Sequence, residues 1–166
     1  AGLYARRKWL GEDKDSAWQS DFRESVRSLA EGQAADGSWE HSPVQTIRRL
    51  FGLHLTVRER TEDIQRALGW LIERTLTGHI SGPYLEDLPD DAFRELPFIS
   101  ARQPLVQVCA TLFLASVFGL ENDEAVRAHY LLLTQWLVRH ADEEALWPEK
   151  SNILRSLIVH PVYARN

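Results

Sequence analysis

The chain reads as an all-α protein built from helical hairpins with short links. Two observations lead to that class. Apolar residues recur at spacings of three and four rather than two, the period of a helix that buries one face. Caps, glycines and prolines punctuate the chain at helix-length intervals, and no stretch shows the alternation of a half-buried strand.

Taken in order, the first long helix is expected from Ser16 to Ala34, with Phe22, Val26, Leu29 and Ala30 on its apolar face and Asp36-Gly37 as its stop. Ser42 caps a second helix with Pro43 in its first turn, and Val44, Ile47, Leu50, Phe51 and Leu55 follow. Thr61 caps a third, which carries Ile64, Ala67, Leu68, Leu71 and Ile72. From 78 to 100 the pattern breaks at Gly82, Pro83, Pro89 and Pro97, and acids gather at Glu86, Asp87, Asp90 and Asp91. This predicts a long loop with one helical turn at 89–95. The stretch from Leu105 to Leu120 is nearly all apolar, broken mainly by Gln107, Thr111 and Ser116. A helix apolar on every side belongs at the centre of a core, and Gly119 is its stop. Two further helices are expected over 122–141 and 151–160. All 166 residues are read as one domain, with an acidic loop inserted at about 82–100.

Composition narrows the function classes. The net charge is -5 and the pI about 5.7, which argues against a nucleic-acid or anionic-membrane partner met through bulk charge. One cysteine rules out a disulfide framework within the chain and a cysteine-rich zinc site. No apolar run reaches the ~20 residues of a membrane span. No charged-then-apolar leader is visible, so a cytoplasmic location is expected. The absence of methionine and the Ala1-Gly2-Leu3 opening lead to the expectation that either an initiator methionine was trimmed or these residues are a piece of a longer chain.

An internal repeat underlies the helices. Trp-Leu occurs at Trp9-Leu10, Trp70-Leu71 and Trp136-Leu137. Trp39 lies ten residues after Leu29 and Trp147 ten after Leu137, each shortly before a new helix start at Ser42-Pro43 or Ser151-Asn152. Phe51-Gly52-Leu53 echoes Phe118-Gly119-Leu120. The inferred unit is helix, tryptophan turn, helix, glycine stop. In the middle copy Ser81 stands where the tryptophan is expected, and the acidic loop occupies the place of the turn.

The first copy, Leu29-Ala30-Glu31-Gly32-Gln33-Ala34-Ala35-Asp36-Gly37-Ser38-Trp39, resembles the Gln-Trp repeat of squalene and oxidosqualene cyclases and protein prenyltransferases, with its Leu-x-x-x-Gln-x-x-x-Gly-x-Trp spacing. Ile64 to Leu71 looks like the start of the next repeat. The resemblance covers 25–71 and extends over 101–160, where Ala141 and Ala145 replace the Gln and Gly. It leaves out 1–15 and 82–100. It implies an α/α toroid whose outer helices are tied by these repeats: Gln33 bonds the backbone of a neighbouring helix end, Gly37 permits the turn and Trp39 covers the contact. Trp39 and Trp147 are assigned to the repeat turn, and Trp70 and Trp136 to the helices that lead into repeats. About three hairpins make half of a closed ring, so a partial toroid is expected, completed by a second copy or a missing partner domain.

The resemblance also implies a terpenoid-cyclase or prenyltransferase-like domain around an isoprenoid or other apolar ligand. The nearest match to a protonating Asp-x-Asp-Asp run is Asp87-Leu88-Pro89-Asp90-Asp91, one residue too long, outside any clear helix, and better read as a solvated acidic loop. Asp90-Asp91 is followed by Ala92, Phe93 and Arg94, so it is not a magnesium-binding Asp-Asp-x-x-Asp. Cys109 has no adjacent Asp and reads as a packing residue. The six histidines show no metal spacing, and no metal or cofactor is expected. Arg48 and Arg49 can meet an anionic head such as diphosphate, or pair with acids of a neighbouring helix. Phe93, Phe98, Phe113, Phe118 and the six tryptophans can stabilise carbocations or form core. No catalytic acid is identified. Two other readings stand beside this one. One is a non-catalytic helical-repeat domain that binds a protein partner. The other is a carbohydrate-active toroid in which Asp87 or Asp91 faces Glu62 or Glu149.

Overall fold

The computed structural model describes residues 2–57, 59–77 and 104–162. Those residues are all-α, with a single isolated bridge between Gln33 and Trp39 as the only extended pairing among them. A short helix α1 (Gly2–Ala5) runs into a π-helical turn (Arg6–Leu10) and a 3-10 turn (Glu12–Lys14). Then come α2 (Ser16–Ala30), α3 (Pro43–Thr56) and α4 (Glu62–Leu76). After the undescribed stretch lie α5 (Pro104–Val117) and α6 (Glu124–Arg139), a 3-10 turn (Glu144–Leu146), and α7 (Trp147–Leu157). The expected acidic loop at 82–100, with Asp87, Asp90, Asp91, Phe93 and Phe98, lies outside the described residues.

Local chemistry sets most helix ends. Ser42 Oγ accepts from Gln45 N–H, and Pro43 occupies the first turn of α3. Thr61 Oγ1 accepts from Ile64 N–H at the start of α4, and Asp123 Oδ1 accepts from Ala125 and Val126 N–H at the start of α6. Each side-chain oxygen satisfies a donor that the first turn of a helix leaves free. Gly119, at φ +77, closes α5. Leu120 N–H donates to the Ala115 carbonyl and Gly119 N–H to that of Ser116, a Schellman stop.

α5 is the centre of the molecule. It packs against α3, α4, α6 and α7, and most of its residues are buried, including Cys109 and the three polar interruptions Gln107, Thr111 and Ser116. The hydroxyls are satisfied inside the core: Thr111 Oγ1 donates to the Gln107 carbonyl and accepts from Thr75 Oγ1. Burial pushes the Cys109 thiol up to about 12, which keeps it a packing residue. One contiguous core reaches from Trp39 to Ile153.

Tyr130 of α6 joins three helices. Its hydroxyl, fully buried, lies 3.0 Å from the Leu112 carbonyl, 2.9 Å from the Ser156 carbonyl and 2.8 Å from Ser116 Oγ. Tyr130→Phe is expected to cost about 1–2 kcal/mol, because the buried hydroxyl's donated and accepted bonds are lost together. Urea midpoints measure this, and an unchanged midpoint would contradict the bonded arrangement.

Three expectations are corrected. α2 stops at Ala30 rather than Ala34, because Gly32 turns the chain at φ +78 and 31–42 forms a turn. Gly52 is no helix stop: α3 continues to Thr56, and a Cβ at Gly52 would lie 2.5 Å from Leu29 Cδ2. Its role is to let α2 and α3 pack closely, so Phe51-Gly52-Leu53 and Phe118-Gly119-Leu120 serve different purposes. The final helix begins at Trp147, with Pro148 in its first turn, rather than at 151.

Candidate functional site

The described residues present three features to weigh: the Gln33–Trp39 turn, the Arg48/Arg49 cleft, and a groove between α4 and α6.

The turn is tightly tied. Gln33 Nε2 donates to the Gly37 carbonyl and to the Asp63 carbonyl in the first turn of α4, both at 2.9 Å. Ala34 N–H donates to the Ser38 carbonyl, and Gly37 N–H to that of Ala34. Trp39, 2% exposed, donates from Nε1 to the Glu31 carbonyl at 3.0 Å, and its backbone N–H reaches Thr46 Oγ1 at 3.1 Å. Gly37 has φ +95, and a Cβ there would lie 2.5 Å from Arg66 C, 2.6 Å from Arg66 O and 2.8 Å from Ala67 N. The turn is thus seated on the α4 backbone, with α2 and α3 held together by Leu29 against Gly52. Its residues hold helices together.

Asp36 locks the outside of this turn. Its Oδ1 accepts from Ser38 Oγ at 2.7 Å and Ser38 N–H at 2.9 Å, and its Oδ2 lies 3.0 Å from His41 Nδ1. Those bonds, Ser38 Oγ–H first, hold its carboxyl below the usual carboxylate range against an opposing effect of burial. A folded-state pKa below the unfolded one adds stability that is full above the unfolded range, about 3.9. That stability is lost as pH falls through the folded value. Asp36→Asn is expected to flatten the acid side of the stability curve, read as urea midpoints from neutral to acid pH. An unchanged acid side would contradict this.

Arg48 and Arg49 lie half-buried on α3 and line a cleft of about 490 Å³ with Leu29, Glu40, Gln45 and Leu55. Arg49 Nη1 donates to the Ser28 carbonyl at 2.8 Å. That bond ties α3 to the last turn of α2. The cleft is open to solvent and contains Glu40 as well as the two cations, a mixed lining for an anion.

The other tryptophans take different positions from Trp39. Trp70 and Trp136 are partly buried against the core. Trp147 is 61% exposed and begins α7 instead of sealing a turn. The 140–150 turn is tied from the other direction: buried Lys150 donates from Nζ to the Ala141 carbonyl at 2.8 Å and the Glu143 carbonyl at 2.7 Å. With alanine in place of the repeat's Gln and Gly, a lysine of the following helix satisfies the turn carbonyls. Glu62 and Glu149 sit in the first turns of α4 and α7, and the acids proposed to face them lie outside the described residues. Among the described residues no group of three or more His, Cys, Asp or Glu is placed to hold a metal ion.

The groove between α4 and α6 was not foreseen from sequence. It measures about 740 Å³. Ile72, Leu76, Leu120 and Ala125 give it an apolar floor, and Glu73, Asp123 and Glu124 stand along it. Gly69 opens it in the middle of α4, where glycine costs about 0.8–1.0 kcal/mol relative to alanine. A Cβ at Gly69 would meet nothing within 4 Å, so no contact of the kind seen at Gly37 or Gly52 requires it.

No family model, curated protein or solved structure matches the chain.

Proposed function

We propose that the chain is a non-catalytic helical-repeat interaction domain, a partial α/α toroid-like stack of about three hairpins that binds another polypeptide. The observation that carries this reading is the outward face of the last hairpin. Trp147 and Leu154 on α7 and Ile158 just past its end are exposed at spacings of seven and four, and Leu131 and Val138 are exposed on α6. A row of large apolar residues on the outside of a packed helix is a surface for another polypeptide. The candidate cations of the sequence analysis support the same reading, since Arg49 is engaged in joining α2 to α3.

In this reading a second copy or further hairpins cover that face. Light scattering is expected to show concentration-dependent dimers that dissociate on Trp147→Asp/Ile158→Asp substitution. A strict monomer that binds no hydrophobic dye would overturn the reading. A cyclase-like domain that encloses an isoprenoid is the second reading. The Gln33, Gly37 and Trp39 turn favours it, because its bonds to Asp63 and seat on Arg66 agree with what that resemblance implies. The turn supports an architecture and supplies no chemistry.

A further inference from the structure

The α4–α6 groove has a floor, a charge and a gap, and each limits what can occupy it. Its floor of Ile72, Leu76 and Leu120 suits apolar side chains. Glu73, Asp123 and Glu124 are its charged lining residues, with no lysine or arginine among them. Among the described residues no ion pair neutralises these three carboxylates. The gap is at Gly69, whose missing side chain serves no internal contact and lets an incoming backbone approach α4. A second copy of this chain, at net charge -5, brings the wrong sign. So does the stretch 78–103, where Glu86, Asp87, Asp90, Asp91 and Glu95 outnumber Arg94 and Arg102.

We propose that this groove docks a basic amphipathic helix of a protein partner, with the partner's apolar stripe on Ile72, Leu76 and Leu120, its lysines or arginines over Glu73, Asp123 and Glu124, and its backbone crossing α4 at Gly69. This rests on the interaction-domain reading and names the partner. Helix-in-groove recognition uses apolar anchors on one helical face, and complementary charge sets partner choice and encounter rate.

The test is fluorescence anisotropy with three labelled helical peptides of about five turns. The first has a leucine stripe flanked by lysines, the second the same stripe flanked by glutamates, and the third the first composition with its periodicity scrambled. The lysine peptide is expected to bind at least about tenfold tighter than either control. Glu73→Lys/Glu124→Lys is expected to weaken it by at least about tenfold, as is Gly69→Leu, which changes no charge. Gly69→Ala is expected to raise the melting temperature of the free protein without strengthening binding, and it serves as the folded control for the larger side chain. Equal binding of all three peptides, or binding of none, overturns the proposal. Lysine-peptide affinity unchanged in both groove variants also overturns it, and places the interaction elsewhere with the domain reading intact. Saturable binding of an isoprenoid diphosphate with no peptide binding overturns the domain reading itself.

Discussion

Replacing Gly37 by alanine is expected to lower stability by about 3 kcal/mol or more. Two costs combine. A non-glycine residue in the left-handed region loses about 1–2 kcal/mol, and overpacking adds about 1–3 kcal/mol. The second cost is hard to relieve, because the nearest atoms, 2.5–2.8 Å from the new Cβ, are backbone of Arg66 and Ala67. Backbone inside α4 cannot rotate away as a side-chain tip can. Gly32 provides the comparison. It also has a positive φ, +78, but a Cβ there would meet nothing within 4 Å, so Gly32→Ala is expected to show only the conformational cost of about 1–2 kcal/mol. Chemical denaturation of the two variants measures the difference. Equal losses would show that the turn does not sit on α4 as described.

Trp39→Ala is expected to cost about 3–5 kcal/mol, a large part of the roughly 5–15 kcal/mol by which a domain is stable. The ring is 2% exposed within the main core, and its Nε1–H is the donor to the Glu31 carbonyl. Trp39→Phe separates the two contributions. It keeps most of the packing and is expected to lose about 1–3 kcal/mol for the unsatisfied carbonyl and the smaller ring. Trp147→Ala, at an exposed position, is expected to lie within about 0.5 kcal/mol of the parent at concentrations where both are monomeric. If Trp147→Ala cost as much as Trp39→Ala, the two tryptophans would share a role that their exposures deny.

What the sequence revealed depended on how local the cause was. Ser42, Thr61 and Gly119 act on backbone groups within five residues, so residue type alone placed those ends. The all-apolar pattern of 105–120 likewise marked α5 as the central helix, since no face of it could meet water. The stop at Ala30 was misplaced because Gln33, Ala34 and Ala35 are compatible with helix. The turn that replaces helix there is held by partners far along the chain, Trp39 on Glu31 and Gln33 on Asp63. Trp147 misled because a ten-residue spacing matched while the residues that build the turn, Gln and Gly, did not. Lys150 took over the turn from a position that no repeat register marks. The α4–α6 groove was invisible for a different reason. Its walls come from two helices separated by 78–103 and α5, and its one local signal was a glycine in mid-helix, Gly69, which reads in sequence as part of a Gly-Trp-Leu repeat start.

The reading of this chain as a binding domain, rather than a cavity for isoprenoids, is tested most directly by isothermal titration calorimetry with geranylgeranyl diphosphate. No saturable heat is expected up to about millimolar ligand, from the parent and from Arg48→Ala/Arg49→Ala alike. A one-to-one isotherm in the micromolar range that disappears in the double arginine variant would contradict it and return the chain to the cyclase-like reading.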